Sequence, residues 1–137
     1  MKVIGIIGTR RRDGINDYIA VLNQFIKIYE PGDAICSGLC PQGGDRFAVI
    51  IADILKLPDD KRIWFPADWN NLKAPGARIK RNKYGPYNAN AGFIRNTDIA
   101  RSSDILIACV AQDRKGGTED TISKFAAFHG IDNLLIV

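Results

Sequence analysis

Short apolar runs alternate along this chain with longer segments whose apolar residues recur at helical spacing. Residues 3–7 form the first run, and residues 15–29 then repeat apolar side chains every three or four positions. Four such pairs and a final apolar run give the order β-α-β-α-β-α-β-α-β. Strands separated by helices pair in parallel through right-handed crossovers. We therefore predict an α/β fold, a Rossmann-like doubly wound parallel sheet of about five strands with helices on both faces.

The boundaries of these elements follow from the apolar runs and from the Gly and Pro residues between them. The predicted strands are residues 3–7, 34–37, 62–65, 104–110 and 134–137. The predicted helices are residues 15–29, 47–57, 89–102 and 118–128. In the first helix we expect the residues at helical spacing to face the core, namely Ile15, Ile19, Leu22, Ile26 and Tyr29.

The chain length of 137 residues suits a single domain, residues 1–137, with a substantial core. Residues 67–88 interrupt the alternation, and we expect them to be irregular. They contain five basic residues and form a basic insertion near residues 70–90. This insertion could be a lid over an anionic ligand or a solvated flap, and the sequence favours neither.

The composition excludes a disulfide scaffold, a zinc protein and a membrane-spanning protein, while the net charge leaves the ligand class open. The net charge of +4 suits a phosphate-bearing ligand or weak attraction to nucleic acid, without requiring either. No apolar stretch is long enough to span a bilayer, so we expect a cytoplasmic location and no membrane partner. Three cysteines and one histidine are too few for a disulfide scaffold or a zinc site. We expect no metal and no resident cofactor.

The first of three glycine-bearing turns is Gly8-Thr9-Arg10, directly after the first strand. Its backbone N–H groups, the Thr9 hydroxyl and an arginine could contact a phosphate, or the segment could be a tight turn with solvated arginines. With a strand order of 3-2-1-4-5, this turn lies at the topological switch point, where such sheets bind ligands.

The second turn follows the second strand and ends in Gly-Gly, which allows close approach to a ligand. We expect Asp45 to cap the helix that follows. The predicted ligand contacts here are Ser37, Gly38, Gly43, Gly44, Asp45 and Arg46.

The third turn, Gly116-Gly117-Thr118, opens the last helix and should face the first turn across the switch point. We predict that all three residues contact the phosphate or ribose of a ligand. Glu119 and Asp120 are favourable in a first helical turn, but either could instead bind ribose or act as a general acid or base.

Three further residues join the candidate site. Arg95 and Asn96 lie on the third helix, where apolar residues adjoin polar ones, and we predict that both contact the ligand. Asp68 follows the third strand, at the ligand side of the sheet. If the protein is an enzyme, Arg95 would steady the leaving group, and Asp68, Glu119 or Asp120 would be the acid, base or nucleophile.

Taken in order, these segments resemble the SLOG superfamily, and most closely its YspA-like branch. That superfamily joins the LOG-type phosphoribohydrolases and the DNA-processing A proteins. The shared motifs are Gly-Thr-Arg at 8–10, Ser-Gly through Gly-Asp-Arg-Phe-Ala at 37–48, Ala-Asp-Trp at 67–69, Ala-Gly-x-x-Arg-Asn at 91–96 and Gly-Thr at 117–118. The resemblance implies a Rossmann-like fold that binds a nucleotide or a nucleotide-derived molecule.

The chain departs from the phosphoribohydrolase motif where that motif has its catalytic glutamate, three residues past the threonine. Thr121 occupies this position here. Our first hypothesis is therefore a sensor or sequestering module for a nucleoside phosphate or an ADP-ribose-like or NAD-derived ligand. The alternative is an N-glycosidase or glycosyl transferase acting on nucleoside monophosphates. Single-stranded nucleic-acid binding through the basic insertion ranks third. A homodimer is the expected oligomer.

Overall fold

The computed structural model describes residues 1–137. Its strands are β1 (Val3–Gly8), β2 (Ala34–Ser37), β3 (Arg62–Trp64), β4 (Ile79–Asn82), β5 (Gly85–Asn88), β6 (Ile105–Cys109) and β7 (Leu134–Ile136). Its helices are α1 (Ile15–Ile28), α2 (Gly44–Ile54), α3 (Ala91–Ser102) and α4 (Gly117–His129), with a short 3-10 helix at Asp59–Lys61. No helix combines the length and the apolar character needed to cross a membrane.

Five strands form one parallel sheet in the order β3-β2-β1-β6-β7. This is the predicted order, and the prediction of an α/β, Rossmann-like fold is confirmed. Strand β1 is central: Gly5 pairs with Cys36 of β2 on one side and with Leu106 of β6 on the other. Because the order reverses between β1 and β6, the loops that follow these two strands flank the switch point.

The core has two layers, one on each face of the sheet. One layer packs Phe25 of α1 and Phe47 of α2 against β1 and β2. The other packs Ile99 of α3 and Phe125 of α4 against β1 and β6. Since Phe47 and Phe125 are fully buried, each contributes roughly 1.5–3 kcal/mol through removal of its ring from water. These layers hold the sheet edge on which the site is built.

The predicted core face of α1 is wrong in part: Leu22 and Tyr29 pack against the core, but the three isoleucines do not. Ile15, Ile19 and Ile26 are 69%, 44% and 65% exposed, and the buried residues of the helix are Val21 and Phe25. Two apolar stripes at helical spacing run along this helix, so periodicity alone could not identify which one packs. The stripe that packs contains Val21 and Phe25.

Residues 67–88 were predicted to be irregular, but part of this segment is ordered differently. Strands β4 and β5 pair there as an antiparallel hairpin. Asn88 anchors the hairpin and is 1% exposed. Its Oδ1 accepts the N–H groups of Arg78 and Asn90, and its Nδ2 donates to the carbonyl of Asn71. One amide side chain thus joins the preceding loop, the hairpin and the start of α3.

Helix α2 begins at Gly44, three residues before the predicted start. The Gly-Gly pair is therefore part of the helix terminus and not a turn preceding it. The other helices and the strands of the main sheet begin and end within two residues of their predicted bounds.

Candidate functional site

A cavity of about 300 Å³ lies at the carboxyl end of β1, beside the N-terminus of α4. Seven of the predicted site residues line it: Gly8, Arg10, Asp45, Arg95, Asn96, Gly117 and Thr118. The turn after β1 and the segment after β6 therefore meet at the switch point, as the strand order predicts.

Arg10 is the free cation of the first turn. It lines the cavity and forms no ion pair or side-chain hydrogen bond with the protein. Its two neighbours are held elsewhere: Arg11 donates to Asp113 at 2.7 and 2.8 Å, and Arg12 donates to Asp17 at 2.8 Å. Arg10 alone among the three arginines is available to an anion in the cavity.

The N-terminus of α4 opens onto the cavity. The N–H groups of Gly117 and Thr118 have no acceptor in the protein, whereas the N–H of Glu119 bonds to the carbonyl of Gly116. Unpaired N–H groups at a helix start, with the helix dipole behind them, attract an anion. Gly116 has φ +120°, a conformation that favours glycine and aims the chain into the helix.

The two carboxylates of this turn, Glu119 and Asp120, form ion pairs and do not line the cavity. Glu119 pairs with Arg114 at 2.9 Å. Asp120 pairs with Lys124 at 2.8 Å and accepts a hydrogen bond from Asn96 at 3.2 Å. Both carboxylates thus have cationic partners within the protein, and neither lines the cavity.

Arg95 joins the second and third glycine segments. Its Nη1 donates to the carbonyl of Gly38 at 2.7 Å, and its Nε donates to the Oδ1 of Asn96 at 3.0 Å. The Nδ2 of Asn96 in turn donates to the carbonyl of Gly117 at 3.3 Å. The guanidinium is therefore held at the cavity wall by two bonds, and a side chain at Gly38 would collide with it.

The Gly43-Gly44 pair packs against the protein's own backbone. A Cβ on Gly44 would lie less than 3.0 Å from the backbone of Ile7 and Gly8, and one on Gly43 would collide with the carbonyl of Thr9. Gly43 also has φ +75°. Neither glycine lines the cavity. Their placement brings the start of α2 against the end of β1.

Asp13 occupies the N-terminus of α2. Its Oδ1 accepts the Gly43 N–H at 2.7 Å and the Nε of Arg46 at 2.8 Å. The Gly43 N–H and the Arg46 guanidinium hold the pKa of Asp13 below its usual range. Arg46, a predicted ligand contact, is thus paired with Asp13 and does not line the cavity.

Asp45 does not cap α2, in contrast to the prediction. Its Oδ1 accepts from the Ser37 hydroxyl at 2.8 Å and its Oδ2 accepts from the Cys40 N–H at 3.0 Å. Burial raises its pKa, although those two donors and Arg95 oppose the shift. Asp45 is the one carboxyl group that lines the cavity.

The remaining predicted residues lie around the cavity without lining it. Asp68 is exposed and its Oδ1 accepts the N–H of Asn70 in a local turn. The Thr9 hydroxyl oxygen accepts the N–H of Arg11 at 3.3 Å. The Ser37 hydroxyl donates to the carbonyl of Ile6, and Gly116 is the N-cap residue of α4.

The apolar wall of the cavity was not predicted from the sequence. This wall includes Trp69, Gly92 and Phe93. Gly92 lies directly beside the Trp69 ring, and a Cβ on it would make an ordinary contact with that ring at 3.6 Å. A glycine inside a predicted helix, beside an aromatic residue, was the available signal for this wall.

No cluster of three or more His, Cys, Asp or Glu side chains is placed to hold a metal ion. The donors at the cavity are instead cationic groups and backbone N–H groups. In comparisons with known proteins, no family model, no curated protein and no solved structure matches this chain. Fold and site together define a Rossmann-like α/β protein with a cavity at its switch point, and the SLOG resemblance stays a prediction.

Proposed function

We propose that the cavity binds a nucleotide or a nucleotide-derived ligand through its phosphate. One observation carries this proposal: the unpaired guanidinium of Arg10 and the unpaired N–H groups of Gly117 and Thr118 face one cavity. A cation with free donors at a helix start is an arrangement that binds phosphate. Trp69 and Phe93 offer an apolar wall to the base.

Recognition without turnover is the form of this function that the contacts support best. The carboxyl groups predicted as acid, base or nucleophile do not line the cavity, and Glu119 and Asp120 are ion-paired. Asp45 lines it, but its two oxygens accept bonds from Ser37 and Cys40. A sensor or sequestering module needs none of these groups to exchange a proton.

Calorimetric titration with AMP, ADP-ribose and NAD tests the proposal, and Arg10→Gln is the informative variant. A charge-assisted hydrogen bond to phosphate contributes about 1.5–3 kcal/mol, so this variant should bind roughly 10- to 150-fold more weakly. Arg11→Gln is the matched control, because Arg11 lies in the same turn but pairs with Asp113. The control should bind like the unmodified protein.

The same samples separate binding from catalysis. After incubation with AMP or NAD, chromatography should recover the intact nucleotide. Release of free base, abolished in Glu119→Gln or Asp120→Asn, would instead favour the glycosidase alternative. Failure of all three ligands to bind, or equal loss in Arg10→Gln and Arg11→Gln, would remove the phosphate role of the cavity.

A further inference from the structure

Charge is unevenly distributed along this chain. Residues 69–97 contain six Lys and Arg residues and no Asp or Glu. Because the whole chain has a net charge of +4, the other residues together have a net charge of −2. The basic hairpin and its flanking loop are therefore the cationic part of an otherwise slightly acidic protein.

None of these six cations forms an ion pair. The eight salt bridges of the protein all involve cations outside residues 69–97. Five of the six lie on the loop and the hairpin, and they are Lys73, Arg78, Lys80, Arg81 and Lys83. Unpaired cations clustered on one surface attract a polyanion.

An aromatic groove lies on the same segment. It has a volume of about 460 Å³ and is lined by Trp69, Asn70, Asn82, Tyr84, Pro86 and Tyr87. Tyr84 is 85% exposed, and the ammonium of Lys83 lies 5.0 Å from the centre of its ring. Tyr87 is the cross-strand partner of Lys80, so a ring and a cation stand on the same face of the hairpin.

The groove is built on a fixed frame. The backbone of Asn88 donates to the carbonyl of Trp69 at 2.7 Å, and its buried side chain bonds to the loop before the hairpin and to Asn90 after it. The rings are thus presented by a hairpin that is tied to α3, and little ordering is required when a partner stacks on them.

We propose that this aromatic groove binds single-stranded nucleic acid, a function beyond the cavity and its small ligand. Bases stack on Trp69, Tyr84 and Tyr87, while the hairpin cations contact the phosphates between them. Stacking on exposed rings, with cations on the same segment to contact phosphates, binds single strands with little sequence preference. A duplex is a poorer partner, because its base faces are already stacked.

Trp69 lines both the groove and the cavity, so its fluorescence reports on both sites, and the variant Arg10→Gln separates the two. The chain has two tryptophans, so Trp64→Phe leaves Trp69 as the one emitter. Titration of this variant with oligothymidine, and in parallel with oligouridine, should quench its emission at low salt. Both oligonucleotides should quench the emission, because both present bases and phosphates. Duplex DNA and heparin, added as competitors, should displace them poorly.

Two sets of variants separate stacking from charge. Tyr84→Ala should weaken oligonucleotide binding about 5- to 150-fold, whereas Tyr84→Phe keeps the ring and the affinity. Replacement of both Lys80 and Lys83 by Gln should reduce the slope of log affinity against log salt by about 1.4. Replacement of both Lys27 and Lys56 by Gln, exposed cations elsewhere, should leave the slope unchanged.

The cavity variant Arg10→Gln distinguishes this proposal from the proposed function. It should bind oligonucleotides normally, and Tyr84→Ala should bind AMP normally. Absence of quenching, equal loss in Tyr84→Ala and Tyr84→Phe, or equal binding of heparin would overturn the groove as a nucleic-acid site. Quenching that persists in Arg10→Gln and requires the Tyr84 ring belongs to the groove, because Tyr84 does not line the cavity.

Discussion

Gly44 and Gly117 are each the first residue of a helix, yet their surroundings predict opposite effects of an added methyl group on stability. The Gly44 site is closed by the backbone of Ile7 and Gly8, whereas no atom lies within 4 Å of a Cβ on Gly117. Replacement by alanine changes helix propensity at both positions. Only at Gly44 does it also disturb the close approach of α2 to β1, so the difference between the two variants measures that approach.

The magnitude follows from the opposing terms. Carbon and oxygen atoms prefer separations of about 3.5–4.0 Å, so a Cβ on Gly44 forces α2 away from β1. Overpacking against backbone that cannot rotate away costs up to about 3 kcal/mol. Replacement of glycine by alanine in a helix contributes about 1 kcal/mol in return. We expect Gly44→Ala to lower the free energy of unfolding by about 2 kcal/mol.

Urea denaturation followed by circular dichroism measures this difference directly. Gly44→Ala should have a lower midpoint with an unchanged slope and a melting temperature lower by about 6–10 °C. Gly117→Ala should be as stable as the unmodified protein or up to about 1 kcal/mol more stable. If the two variants had equal stability, the steric argument for the second glycine segment would be refuted.

Three further predictions concern pH, thiols and the hairpin. Burial opposes ionisation of Asp33, but a lysine and two backbone N–H groups outweigh it and hold its pKa below the usual range. Its stabilising effect is therefore present above about pH 4 and lost below it, so Asp33→Asn should lower urea midpoints at pH 7 and converge with the unmodified protein in acid. Burial raises the pKa of the Cys36 thiol to about 12, so a thiol reagent should label one cysteine, Cys40, in the native protein and all three in denaturant. Asn88→Ala should increase tryptic cleavage within the basic insertion, with a smaller effect on the global urea midpoint.

The sheet could be predicted because the same pattern, a short apolar run followed by a helical segment, recurs along the chain. Each of its strands is a short run of mainly apolar residues between punctuating residues, and the connecting helices require parallel pairing. The packing face of α1 could not be predicted, since Ile15, Ile19 and Ile26 have the same spacing as the buried stripe. Which stripe packs depends on the shape of the neighbouring sheet and α2, and periodicity does not contain that information.

The site was predictable where topology determines it. The first and third glycine segments meet because β1 and β6 are adjacent, and strand order alone places them together. The hairpin was missed because every residue of β4 is exposed, so the usual alternation of apolar and polar residues is absent. The buried Asn88 fixes it instead, through hydrogen bonds that no local pattern predicts.

Similar glycine turns therefore serve different purposes, and the surrounding charges show which is which. Where the turn after β2 meets α2, the carboxylate of Asp13 is the anion, and it already accepts the N–H of Gly43. Where α4 begins, the acids are paired with Arg114 and Lys124, and the donors of Gly117 remain open. A helix start that carries its own carboxylate repels a phosphate, whereas one whose carboxylates are neutralised by neighbouring cations admits it. The pairing of charges, more than the glycines themselves, thus distinguishes the packed helix start from the one at which we propose that phosphate binds.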